Sequence, residues 1–244
     1  MNNGTPLLKS LRAALEREPL INLHRWPIQA SLLGDDALLL EGDTGSIAAK
    51  KRILEIACGL HHTGRVVDRL HVAPAEHKGD GAIIDSLKTL LLGARELKSC
   101  TLRVMKKGRA ILLQEAHGDY IGGHILVSVK DGVVMLDGSV ISLTHKRLAG
   151  VLAWWTPGCR DVGNRLEVDP REQDNDGEVS DALALVLEID PMIPDPAQIR
   201  VSTDHWVVTL DGLVANEAER NRAEQDAWSL FAVDKVINRL AVAA

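Results

Sequence analysis

The chain has 244 residues, 45% of them apolar and 25% charged, with a net charge of −6. That balance is too aliphatic for an unfolded polymer and too charged for a bilayer-spanning protein. One Tyr, one Phe and five Trp leave the core to be filled by Leu, Val, Ile and Ala.

The first element is an amphipathic helix, LLKSLRAALERE, followed by strands at PIQASL and DALLLE, a glycine turn, a second helix and a closing strand ending in Val67–Val72. The order then recurs. Helices at AIIDSLKTLLLGA and EVSDALALVLEID open a second and a third copy, with strands ILVSV, VVMLD, QIRVS and WVVTL after them. Prolines 191, 194 and 196 stop the third copy's opening helix. In each copy 27 positions separate a strand-end glycine from an arginine of the closing strand: Gly42 to Arg69, Gly138 to Arg165, Gly212 to Arg239. Ungapped spacing of that kind marks an internal repeat. Within each second helix, small residues recur four apart, at Ile53 and Ala57, Ala149 and Ala153, Ala223 and Ala227, so one face can lie close on a sheet.

The predicted fold is therefore α+β: three tandem small α/β domains, each helix–strand–strand–helix–strand with two helices on one face of a three-stranded sheet. Polar, acid- and glycine-rich runs at APAEHKGDG and DPREQDNDGE place the boundaries at 1–77, 78–170 and 171–244. From Ile83 to Gly138 is 55 positions, against 33 from Val179 to Gly212, so the second copy carries 22 additional residues. Apolar runs on either side of Lys106-Lys107-Gly108 predict an inserted β-hairpin around 99–123.

The Val/Leu-rich strand into Asp-Gly, the alanine-spaced helix, and the closing pattern Val162, Asn164, Leu166, Val168, repeated as Val236, Asn238, Leu240, Val242, resemble the BON domain of bacteria. The first copy diverges, with Thr63-Gly64 before its closing strand and Asp68 in place of the asparagine. The resemblance implies a noncatalytic binding protein of the stress or envelope type that associates with phospholipid surfaces. Its alternatives are a cytosolic potassium-binding or osmotic-stress sensor and an oligomeric scaffold of such units.

Motif by motif, the chain offers no catalytic centre: GxSxG, HExxH, GxxxxGK[ST] and EF-hand spacings are all absent. Gly42-Asp-Thr-Gly45 is a turn and helix cap rather than a phosphate loop, and it joins strand to helix where a KH loop joins two helices, so no nucleic-acid partner is expected. His61-His62, with His71 and His77, lack acid or Cys partners at ligand spacing, and no metal or cofactor is expected. Asp204-His205 reads as a turn between two strands. Three cysteines at wide spacing form no disulfide framework, and the N-terminal segment lacks a secretory pattern, so the expected location is the cytoplasm or the membrane periphery.

Charge divides unevenly. The first copy is neutral, the second +3 and the third −9. Much of the second copy's excess comes from Arg103, Lys106, Lys107 and Arg109, flanked by Leu102, Val104, Met105, Ile111 and Leu112. A basic, amphipathic hairpin is chemistry for an anionic lipid surface. Trp154 aligns with Cys58 and Trp228 on a flank that is apolar in every copy, whereas Trp155 is an added aromatic: it aligns with Gly59 and Ser229, where the sister copies hold nothing large, which points to packing against another copy, another chain or a membrane interface. Those six residues are the candidate lipid- or partner-binding set, and a homo-oligomer is an accompanying expectation.

Overall fold

A computed structural model describes residues 4–34, 37–60, 64–117 and 121–243. The chain divides into two compact units, Met1–Pro74 and Ala75–Ala244.

In the first unit, α1 (Gly4–Arg17) leads to β1 (Gln29–Leu33), β2 (Ala37–Thr44), α2 (Ile47–Leu60) and β3 (Arg65–Val72). β2 lies between its neighbours, antiparallel to β1 and parallel to β3. The parallel pair requires a crossover, which α2 provides. Leu38, Leu40 and Leu70 project inward to meet Leu11 and Leu15 of α1 and Ile53 and Ala57 of α2.

The second unit repeats this plan twice. Its first half runs α3 (Asp80–Gly93), a 3₁₀ turn at Glu96–Ser99, β4 (Cys100–Lys106), β5 (Arg109–Gln114), β6 (Gly123–Lys130), β7 (Val133–Val140), α4 (Leu143–Trp154), β8 (Asp161–Asn164) and β9 (Glu167–Val168). The sheet order is β5-β4-β6-β7-β8, with β9 also on β7. The six-strand sheet exceeds the expected three because the β4–β5 hairpin extends its β6 edge and because the closing strand is split into β8 and β9. The second half is α5 (Asp176–Ile189), a 3₁₀ turn at Pro196–Gln198, β10 (Ile199–Asp204), β11 (Val207–Val214), α6 (Glu217–Ser229) and β12 (Lys235–Val242), again with the second strand central.

Equivalent residues do equivalent work in the three repeats. Ser46, Ser142 and Asn216 each accept a hydrogen bond from the backbone N–H three residues on, capping α2, α4 and α6. The strand glycines 42, 138 and 212 have φ of +140°, +127° and +133°, and a Cβ at any of them would fall within 2.7 Å of a facing carbonyl oxygen. Ala57, Ala153 and Ala227, expected to face the sheet, are fully buried.

Within the second unit the two repeats share their packing. Val151 of α4 belongs to the same core cluster as Val179, Leu183, Val208 and Leu210 of the third repeat. The connecting segment is tied to α4: Glu172 accepts from the Leu143 N–H, and Asp174 accepts from Arg147 at 2.5 Å.

Candidate functional site: a basic hairpin and a charged helix junction

β4 and β5 pair antiparallel about a two-residue turn, Lys107-Gly108, whose φ angles are +50° and +75°. Two positive φ values in succession give the turn a twist that matches the strands it joins. Lys106 stands opposite Arg109 in the register, and Arg103 opposite Leu112. Arg103, Lys106, Lys107 and Arg109 are all exposed, and residues 100–114 contain no acidic side chain. The structure thus brings these four candidates together.

The apolar side chains beside them are divided. Leu102 and Val104 point into the core, whereas Ile111 and Leu112 on the edge strand are 44% and 49% exposed. Gln114 anchors the hairpin's far end, its amide donating to the carbonyls of Leu97 and Cys100 at 2.9 and 2.8 Å. An anchored base therefore carries an edge strand with uncovered aliphatic side chains and a cationic tip, chemistry suited to a surface that is oily below and anionic above.

Trp154 and Trp155 do not join this group. α4 packs over β7 and β8, at the sheet edge away from the hairpin. Trp154 is half-buried against the second repeat's core. Trp155 turns to the third repeat, where its indole N–H donates to Asp226 Oδ1 at 2.8 Å and the Arg222 guanidinium lies 4.8 Å from its ring centroid. A nearby partner, absent from the candidate set, is Arg147. Its side chain is completely buried, stacked 4.6 Å from the Phe231 ring and paired with Asp174. A cation stacked on a desolvated ring recovers part of its lost hydration. Burial of Arg147 and Asp226 follows from tertiary packing between repeats; the one local hint is that each lies beside residues of a buried helix face.

His61 and His62 lie outside the described residues. Among the described residues, no three His, Cys, Asp or Glu side chains gather as a metal site. No described helix is long and apolar enough to cross a membrane. None of the described cysteines forms a disulfide; Cys100 is buried, and desolvation pushes its thiol up to about 11, away from thiolate chemistry. Asp204 and His205 stand at the β10–β11 turn, their side chains 2.9 Å apart and almost fully exposed.

Comparison with known proteins adds the family. The BON domain model matches two segments, residues 109–170 and 175–244. No curated protein matches the chain. Among solved structures, the chain is similar to the C-terminal domain of CdsD, the structural protein of the type III secretion system of Chlamydia trachomatis, at 15% identity and a TM-score of 0.24, covering 99% of this chain and 100% of that one. A second CdsD structure is 16% identical with the same TM-score, covering 98% and 93% respectively.

Proposed function

The chain belongs to the BON domain family, with two matched segments in tandem, and on that premise we propose that it is a noncatalytic binding protein that docks on anionic phospholipid surfaces through the β4–β5 hairpin. One observation carries the reading: four exposed cations with no intervening acid stand on a hairpin whose edge strand leaves Ile111 and Leu112 uncovered. Each basic residue near a charged bilayer contributes about 1 kcal/mol, and the aliphatic pair adds burial in the interfacial zone. The acidic third repeat is repelled by the same surface, which favours an orientation with the hairpin foremost.

The test is co-sedimentation of the full chain with vesicles of phosphatidylglycerol and phosphatidylcholine, compared with phosphatidylcholine alone. Binding is expected only to the anionic vesicles and should weaken as salt is raised. The double variant K106E/K107E should bind at least roughly 30-fold more weakly, about 1 kcal/mol for each lost contact before the added repulsion of the two glutamates. Equal binding by both proteins, or none at low salt, overturns the proposal. A doubled solution mass in place of vesicle binding points to association with another copy through the β5 edge, whose backbone is paired on one side only.

A further inference from the structure

Where the third repeat packs against the second, two buried carboxylates share one guanidinium. Asp226 of α6 is fully buried and Asp190, the C-terminal cap of α5, is 2% exposed. Arg222 of α6 is the cation that reaches both: its Nε donates to Asp190 Oδ2 and lies 3.4 Å from Asp226 Oδ1. From α4, Trp155 offers its indole N–H to that same Oδ1. Asp190 Oδ1 is taken by the Met192 N–H at 2.8 Å. These are the charged and hydrogen-bonding groups that face Asp226 from α4, α5 and its own helix.

One atom is left over. Asp226 Oδ2 is buried without a hydrogen-bond partner, while the Asp226 and Asp190 carboxyls stand within hydrogen-bonding range of each other. Two ionised carboxylates at that separation, sharing one guanidinium, would repel each other and strand an anionic oxygen in a dry site. A single proton removes both faults, because a protonated Asp226 becomes the donor that an ionised Asp190 accepts.

We propose that Asp226 Oδ2 is a proton-binding site that clamps α6 onto α5 beneath Trp155 of the second repeat, tightening the α4–α5–α6 junction when occupied and loosening it when empty. The titration has the required direction. Burial pushes the Asp226 carboxyl up to about 8; Arg222 and the Trp155 N–H pull it down, and Asp190 pushes it further up. In the unfolded chain the group titrates near its ordinary value of 3.8. Between those values folding takes up a proton, so the clamp's contribution is complete at the acid end, declines as pH rises through the window, and is gone above about 8.

The experiment is thermal unfolding of the full chain at pH 5 to 9.5, wild type beside D226N, whose amide can donate where the protonated acid does. The wild-type Tm for the unit containing these helices should fall by roughly 5 °C or more across that range, and that of D226N should stay flat by comparison. Parallel curves overturn the proposal. A second readout does not require D226N to fold: the Trp155 indole N–H resonance, assigned as the one missing from W155F, should shift with a midpoint near 8. A resonance unmoved between pH 6 and 9.5 overturns it as well. Neither measurement involves a lipid, so the outcome is independent of hairpin docking.

Discussion

Asn238 shows how much one side chain can hold in this fold. From the closing strand its amide donates to the Arg220 carbonyl at 3.1 Å and to the Glu224 carboxylate at 2.9 Å on α6, while its Oδ1 accepts from the Leu240 N–H. Asn164 does the same work in the second repeat, donating to the Lys146 carbonyl at 2.7 Å and accepting from Leu166 N–H. In the first repeat the position is Asp68, which cannot donate, and the pin is rebuilt with reversed chemistry: Lys50, the equivalent of Lys146 and Arg220, sends its ammonium to Asp68 Oδ2 at 3.1 Å and to the Leu70 carbonyl at 2.8 Å. The divergence of the first copy is thus a substitution of one helix-to-strand tie for another. Replacing Asn238 with Ala should cost about 1–2 kcal/mol in urea unfolding, because helix and strand acceptors lose a donor together. An Asp there meets Arg220, whose guanidinium is engaged by Glu217 at 3.3 Å, and should restore only part of the loss.

At the scale of the element, the helix starts and hairpin turns depend on the same few carboxylates. Asp176 in the first turn of α5 accepts from the His205 N–H at 2.8 Å and the Trp206 N–H at 3.0 Å, securing a turn in which both residues have positive φ. Asp80 clamps the Asp131-Gly132 turn from α3 in the same way. The hydrogen bonds from Trp206 and then His205 hold the Asp176 carboxyl below its ordinary value. Its stabilisation is therefore present above about 3.8 and is lost as pH falls through the folded-state value. In acid titrations followed by circular dichroism, D176A should be less stable than wild type at pH 6, and the gap should narrow toward pH 2.5. A gap of constant size would mean that the carboxylate's charge plays no part in the clamp.

Much of this level was legible beforehand, and the boundary of what was legible has a physical cause. Periodicity located the helices, and the recurrent glycine revealed the copies because its conformation admits few other residues. The extra strands were readable from apolar runs around Lys-Lys-Gly, since a tight turn leaves a local signature. The joining of that hairpin to the β6 edge was not, because strand pairing between distant segments leaves no periodic trace. Nor was the junction cluster: Arg147 and Asp226 are charged letters on helices, and their burial results from which faces meet. The added bulk of Trp155 did register as a contact outside its own fold, although its partner did not.

At the scale of the whole molecule, that junction decides where the chain can be divided. The first unit has its own core around Leu11, Leu38, Leu40, Ile53 and Leu70. The second and third repeats do not separate so cleanly, because Val151 of α4 completes the third repeat's core, Arg147 stacks on Phe231, and Asp174 of the connecting segment pairs with Arg147. A fragment comprising residues 75–244 should fold with one cooperative transition, detected by calorimetry. Residues 171–244 alone should unfold at a markedly lower temperature, since they lose the Val151 contact and expose Trp228, Phe231 and the Asp190–Asp226 pair to water. Each buried aliphatic side chain removed from such a core is worth about 1.5–3 kcal/mol, a large fraction of the stability available to roughly 70 residues. If the third repeat proved as stable alone as in the larger fragment, the contacts at α4 would be incidental; a large difference makes the second and third repeats one folding unit, in which a charge change at Asp226 reaches both.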